Sequence, residues 1–170
     1  MIHIPNPNKK RALLLIDLQP GFLSEKTSWI IPNIREAILK GNYDLIVETL
    51  FYAEKGSLWD RQTNWIFPLQ PAVTEIQQVL PNDSIRIIKS TKSAFKGDSN
   101  LCYMLTKNDI EEVHLVGLDT NDCVLATAQE SFDLGFSTYV LEECTESSEG
   151  PEFRNYALMI LRDLKMTNFS

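Results

Sequence analysis

The sequence predicts an α/β fold, an open and mostly parallel β-sheet with helices on both faces, and three observations carry that reading. Short apolar runs of strand length alternate with stretches of helical period along the 170 residues. The first run, residues 12–16, is continuously apolar, as a strand covered on both faces of a parallel sheet must be. Helical segments separate the later runs, and strands joined through helices pack as a parallel sheet with right-handed crossovers.

The first strand, 12–16, ends at Asp17. Residues 33–40 carry Ile34, Ala37 and Ile38 at i, i+3 and i+4 and stop at Gly41, which reads as a helix with a glycine cap. A second strand spans 44–52. After a long segment containing Gly56, Pro68 and Pro71, a helix over 72–80 precedes a third strand, 84–88, which ends at Lys89. Residues 98–107 read as a short helix and 113–117 as a fourth strand, followed by a turn. The next helix, 123–134, places Val124, Leu125, Ala128 and Phe132 on one face, with Gly135 just past its end. The fifth strand is 137–141. A last helix, 151–164, has Phe153, Ala157, Ile160, Leu161 and Leu164 as its apolar stripe, and 165–169 adds a short edge strand. No repeat, low-complexity tract or linker interrupts this order, so 1–170 reads as a single domain with an irregular lead-in at 1–10.

Composition removes several function classes. Sixteen basic residues against 23 acidic ones give a formal charge of -7, and no basic cluster exceeds Lys9-Lys10-Arg11. A general electrostatic grip on nucleic acid or anionic lipid is not expected. No apolar run approaches the roughly 20 residues that cross a bilayer, and the N-terminus lacks the basic start and apolar middle of a secretory signal. The three cysteines, Cys102, Cys123 and Cys144, are an odd number without CxxC spacing, which fits reduced thiols in a cytoplasmic protein. With His3 and His114 as the only histidines, no metal site of the usual kinds has its ligands. Nothing resembles a phosphate-cradling glycine loop, so no cofactor is expected and the partner is a small-molecule substrate.

In open α/β sheets the ligand crevice lies beyond the carboxyl ends of the strands. That rule selects Asp17 after the first strand, Lys89 at the end of the third, and Cys123 in the turn after the fourth. Each has an ordinary reading as well: Asp17 as a turn cap, Lys89 as a solvated strand end, Cys123 as a small buried hydrophobe. Their convergence on one sheet edge favours chemistry. A thiol in the first turn of a helix, near an ammonium, is expected to have its pKa lowered from about 8.5 to roughly 3.5–7.5. Cys102 and Cys144 read as structural thiols, His114 as a structural histidine, and the acidic stretch from Glu142-Glu143 to Glu152 as solvated surface. Phe22, Gln19, Trp59, Trp65 and Phe95 are candidates to line the pocket, with core or dimer contacts as the competing reading.

These residues resemble the isochorismatase-like cysteine hydrolases over about residues 11–163. Residues 12–22, ALLLIDLQPGF, resemble the family's first strand and its aspartate. Residues 89–95, KSTKSAF, resemble its lysine motif, in which the lysine lies four residues before Ser-Ala-Phe, a spacing that selects Lys89 over Lys92. Residues 117–128, GLDTNDCVLATA, resemble its nucleophile turn, and 132–136 continues the match. The resemblance implies a Rossmann-like sheet and a catalytic triad of Asp17, Lys89 and Cys123. In it Asp17 takes the thiol proton and Lys89 steadies both charges. It further implies a cis peptide between Leu118 and Asp119, an oxyanion hole of backbone amides including Asp119 and Cys123, and a homo-oligomer, dimer or tetramer.

Departures narrow the reading. Nicotinamidases of the family carry an Asp-x-His and a further histidine after the second strand to bind a metal. Here residues 48–58 read ETLFYAEKGSL, without histidine, which resembles the metal-free branch whose second strand leads into a Gly-Ser-Leu turn and an aromatic-rich helix. That branch often has a histidine near 150–154, where this chain has GPEFR. The expected activity is hydrolysis of a C–N bond in a small amide or ureide through a thioester. The alternatives are hydrolysis of a vinyl ether, whose family members lack the cysteine retained here, and a non-catalytic interaction module. If Asp17 is the proton shuttle, Asp17→Asn is expected to lower turnover while leaving folding little changed.

Overall fold

The computed structural model describes residues 9–167. Residues 1–8 of the expected lead-in, 1–10, and the end of the expected edge strand at 168–169 lie outside the described residues. Five strands, β1 Arg11–Ile16, β2 Leu45–Phe51, β3 Ile85–Lys89, β4 Glu112–Leu118 and β5 Ser137–Glu146, form one sheet in the order β3-β2-β1-β4-β5. Every pairing is parallel. Helices α1 Ile30–Lys40, α2 Leu58–Thr63, α3 Thr74–Gln77, α4 Ala94–Gly97, α5 Leu101–Lys107, α6 Leu125–Asp133 and α7 Pro151–Asp163 complete the α/β fold that the alternation predicts.

β1 is central, and its wholly apolar sequence serves two cores at once. Ala12, Leu14 and Ile16 join Leu101 and Leu105 of α5, Ala128 of α6 and Leu158 and Leu161 of α7 on one face. Leu13 and Leu15 join Ile30, Ile34 and Ala37 of α1 and Ile76 of α3 on the other. Burying each such side chain contributes about 1.5–3 kcal/mol, so the middle strand anchors both layers. The chain runs outward from β1 to β3, then returns to place β4 on the opposite side of β1. The order therefore reverses between β1 and β4, and a crevice opens at their carboxyl ends.

Several elements differ from their sequence reading for local reasons. α1 starts at Ile30 because Pro32 falls in its first turn, where a missing N–H costs nothing. The helix expected over 72–80 is the single turn α3, and that expected over 98–107 begins at Leu101, after the separate turn α4 capped by the Ser93 hydroxyl. β5 continues to Glu146 beyond the expected Leu141, which buries Glu142 and Glu146 rather than leaving them in solvent. Arg162 pairs with Glu142, and the Trp29 indole N–H donates to Glu146 at 3.2 Å. In α7 the inward residues are Ala157, Leu158 and Leu161, while Phe153, Ile160 and Leu164 are exposed, as is Phe132 of α6. Within the described residues of the expected edge strand, one bridge forms, Thr167 to Val140. His114 is buried between the Tyr43 hydroxyl at 2.9 Å and Glu112 at 2.7 Å, and burial pushes its pKa down to about 4, so it stays neutral as a structural histidine does.

Gly117 of β4 lies tight against Ile16 of β1, at a φ of +118° and where the register with β5 shifts. A Cβ there would lie 2.1 Å from the Ile16 carbonyl oxygen. Gly117→Ala is expected to lower stability by about 2–6 kcal/mol, combining positive-φ strain with overpacking against backbone. Gly135, also at positive φ but with open space around it, is the control and should lose only the strain part, about 1–3 kcal/mol. Chemical denaturation of both variants checks this, and equal losses would mean that the approach to β1 is not a tight one.

Candidate active site

Asp17 leaves β1 with φ at 51°, a left-handed backbone that turns its carboxylate into the sheet edge, where it is fully buried. The Thr49 hydroxyl on β2 donates to Oδ1 at 2.6 Å, and Lys89 Nζ donates to Oδ2 at 2.7 Å. Lys89 closes β3, two strands away from β1, so its side chain and that of Asp17 together bridge roughly 10 Å of sheet. It does so over the Phe51 ring, with Nζ 5.1 Å from the centroid. The ammonium also donates to the Thr91 carbonyl at 2.9 Å and the Lys92 carbonyl at 3.1 Å, and it lies 3.5 Å from Cys123 Sγ. All of its N–H groups thereby find acceptors, as a buried ammonium requires.

Cys123 lies in a π-helical turn, Thr120–Val124, that precedes α6 rather than in the first turn of α6 itself. Its carbonyl accepts from the Thr127 hydroxyl at 2.7 Å, and the Thr127 oxygen in turn accepts from the Ala94 N–H at 3.1 Å. The turn is thereby tied to the start of α4, just past the loop that follows Lys89. The expectation of a thiol lowered by helix dipole and ammonium is overturned. Burial, the largest cause, and the adjacent Asp17 carboxylate push Cys123 well above the usual thiol range, while Lys89 pulls the other way. Buried charge costs more than the dipole of one turn returns.

β4 delivers Leu118 and Asp119 to the same edge, and the peptide between them is cis. The Asp119 carbonyl accepts from the N–H groups of Asp122 and Val124, both at 3.1 Å, which curls the turn beneath Cys123. Its carboxylate accepts from Ser148 N and Oγ, each at 2.7 Å. Burial raises the Asp119 pKa and the two Ser148 bonds oppose the rise.

Above Cys123 lies a cavity of about 480 Å³ whose wall includes Phe22, Phe51, Trp59, Trp65 and Phe67. Phe22 and Trp59 therefore stand where the sequence places them, and Leu118, Asp119 and Cys123 form the opposite side. Gln19 and Phe95 do not line the cavity. Gln19 is fully buried because its amide bonds to both backbone groups of Phe51, and Phe95 stacks on Phe136 in the core with its centroid 6.3 Å away. Thr49 and Phe51 escaped sequence reasoning. The available signal was a lone hydroxyl and a lone ring at the end of the apolar strand LIVETLF. Arg154, in the segment without the branch's histidine, donates instead to the Thr145 and Glu142 carbonyls.

The family model for the isochorismatase domain matches residues 11–168. A Bacillus subtilis protein described as the uncharacterized isochorismatase family protein YrdC is 31% identical over 145 residues, covering 81% of this chain and 74% of its own. The isochorismatase-like hydrolase of Alkaliphilus metalliredigens superposes with a TM-score of 0.78 at 22% identity, over 93% of each chain. The pyrazinamidase of Pyrococcus horikoshii, solved in complex with zinc, gives a TM-score of 0.77 at 26% identity, over 93% of this chain and 97% of that one. A zinc ion does not fit here: among the described residues no three of His, Cys, Asp and Glu gather to hold a metal, and the segment after β2 presents rings instead of ligands. The domain match, a relative at 31% identity and a shared parallel sheet agree on one assignment, and the chain belongs to the isochorismatase family.

Proposed function

We propose that this protein is a cysteine hydrolase that cleaves the C–N bond of a small amide or ureide through a thioester. One observation carries the reading: the Asp17 carboxylate, the Lys89 ammonium and the Cys123 thiol meet in one buried contact at the foot of the cavity. Family membership and the likeness to a pyrazinamidase support a hydrolase acting on non-peptide C–N bonds.

The resting thiol is protonated, since burial and Asp17 both disfavour its anion. As substrate enters, Asp17 accepts the Sγ proton and sulfur attacks the carbonyl carbon. The electron pair moves to the carbonyl oxygen, which meets the backbone amides of the turn that include Asp119 and Cys123. Each such donor is worth about 3–4 kcal/mol of barrier. Collapse breaks the C–N bond, and the departing nitrogen takes the proton from Asp17. Water then loses a proton to the same carboxylate and attacks the thioester carbon, and sulfur leaves with that proton to restore the thiol. Lys89 stays charged throughout and balances whichever of Asp17 and Cys123 is anionic. Thr49 holds Oδ1 and so fixes the orientation of the carboxylate.

Two experiments test this. A panel of small amides and ureides is expected to release ammonia or amine with wild-type protein, to keep doing so in EDTA, and to fall to background in Cys123→Ala. Turnover that survives Cys123→Ala would refute the nucleophile. Asp17→Asn should lower turnover by about 100-fold or more. It should also lose stability, contrary to the sequence expectation, because it leaves Lys89 charged and buried without its partner, a change that costs about 3–5 kcal/mol. In the second experiment, thiolate absorbance at 240 nm, taken as the difference between wild type and Cys123→Ala, should be absent at neutral pH and appear only on the alkaline side of 9.0. A thiolate signal at pH 7 would instead place a standing ion pair at the site and reverse the assigned direction of the first proton transfer.

A further inference from the structure

We propose that the cavity selects its substrate by charge, preferring an amide that carries a positive group over an uncharged isostere and rejecting carboxylates. The inference rests on the hydrolase reading above and narrows its substrate class. It follows from the charges and rings that line the cavity. The ionisable side chains there, apart from the thiol, are Lys92, Asp119, Asp122 and Glu149. Lys92 is already engaged: its ammonium pairs with Asp122 and lies 5.6 Å from the centre of the Trp59 ring. Lys89, beneath the floor, is buried against Asp17 and two carbonyls. Asp119 and Glu149 remain, held by neutral donors, Ser148 on the first and Asn121 Nδ2 at 3.2 Å on the second. A substrate carboxylate would meet two carboxylates and no free cation among the described lining residues.

The aromatic wall points the same way. A ring face is the negative pole of its quadrupole and attracts cations. Two faces in this site already carry ammonium groups of the chain itself, Lys89 on Phe51 and Lys92 on Trp59. Rings and carboxylates together make a surface that complements a compact organic cation such as a quaternary or substituted ammonium, attached to the amide by a short planar body.

Three para-substituted benzamides test the proposal: the trimethylammonium compound, its tert-butyl isostere of the same shape, and the carboxylate. At low ionic strength kcat/KM is expected to fall in that order, with the carboxylate at least about tenfold below the cation. The spread should narrow at about 0.5 M salt, where the screening length falls to a few ångströms. Glu149→Lys, at an exposed rim position, should shrink the cation-to-carboxylate ratio severalfold. Any other order overturns the proposal. Calorimetric binding of the same compounds to Cys123→Ala, or to Cys123→Ser if the alanine variant does not fold, separates selection from chemistry. The expected order in binding without hydrolysis by wild type would sink the hydrolase reading and leave charge selection standing. Cysteine-dependent hydrolysis with the carboxylate handled as well as the cation would do the reverse, and failure of the cation to bind would also overturn the proposal.

Discussion

A carboxylate and an ammonium taken out of water face each other at the carboxyl edge of this sheet, and the loops around them are arranged to make that tolerable. Each ion alone would cost several kcal/mol in the interior, and their attraction offsets this only when every remaining donor and acceptor is satisfied. Asp17 and Lys89 meet the condition through the Thr49 hydroxyl on β2 and the Thr91 and Lys92 carbonyls of the loop after β3. The loop after β3 has to wrap the ammonium with its carbonyls. β2 has to present a hydroxyl rather than a methyl at position 49. The left-handed step at Asp17 is the geometric outcome of holding a charged side chain against the strand next door.

The same pair governs the thiol. A cysteine beside a lone lysine would ionise readily, but here the nearest carboxylate cancels that pull and burial does the rest. In the proposed reaction the thiol therefore stays protonated until substrate arrives, and nucleophile, base and counter-ion come from three residues. Sequence-distant elements are needed because no single loop reaches across three strands. Lysine is long enough to reach from the end of β3 over Phe51 to the carboxylate at the end of β1.

Much of this was legible in the sequence because it follows from periodicity. The continuous apolar run at 12–16 announced a strand covered on both faces, and the polar residues that end the strands, Asp17 and Lys89, stood out against it. What escaped depends on partners from far along the chain. Glu142 and Glu146 read as surface because acidic residues usually are; Arg162 and Trp29, which take them inside, lie 20 and 117 residues away. Gln19 and Phe95 sit near the motif residues in sequence, yet their side chains turn into the sheet and the core. The direction of the Cys123 shift was misread for a related reason. Helix dipole and neighbouring lysine are local features of a motif, whereas desolvation is a property of the whole fold.

Gln19 has a further consequence. β1 ends at Ile16 while β2 runs on to Phe51, so the last peptide of β2 would face the crevice with nothing beside it. The Gln19 side chain takes the vacant place: its oxygen accepts the Phe51 N–H at 2.7 Å and its nitrogen donates to the Phe51 carbonyl at 3.0 Å. One side-chain amide thus acts as a splice, a single peptide group lent to a sheet where a strand has been withdrawn. Glutamate could accept but not donate there, and asparagine is one carbon shorter. The splice lets β1 veer away and open the cleft without fraying the neighbouring strand, so the ring of Phe51, over which Lys89 must pass, rests on backbone as firmly paired as the middle of the sheet.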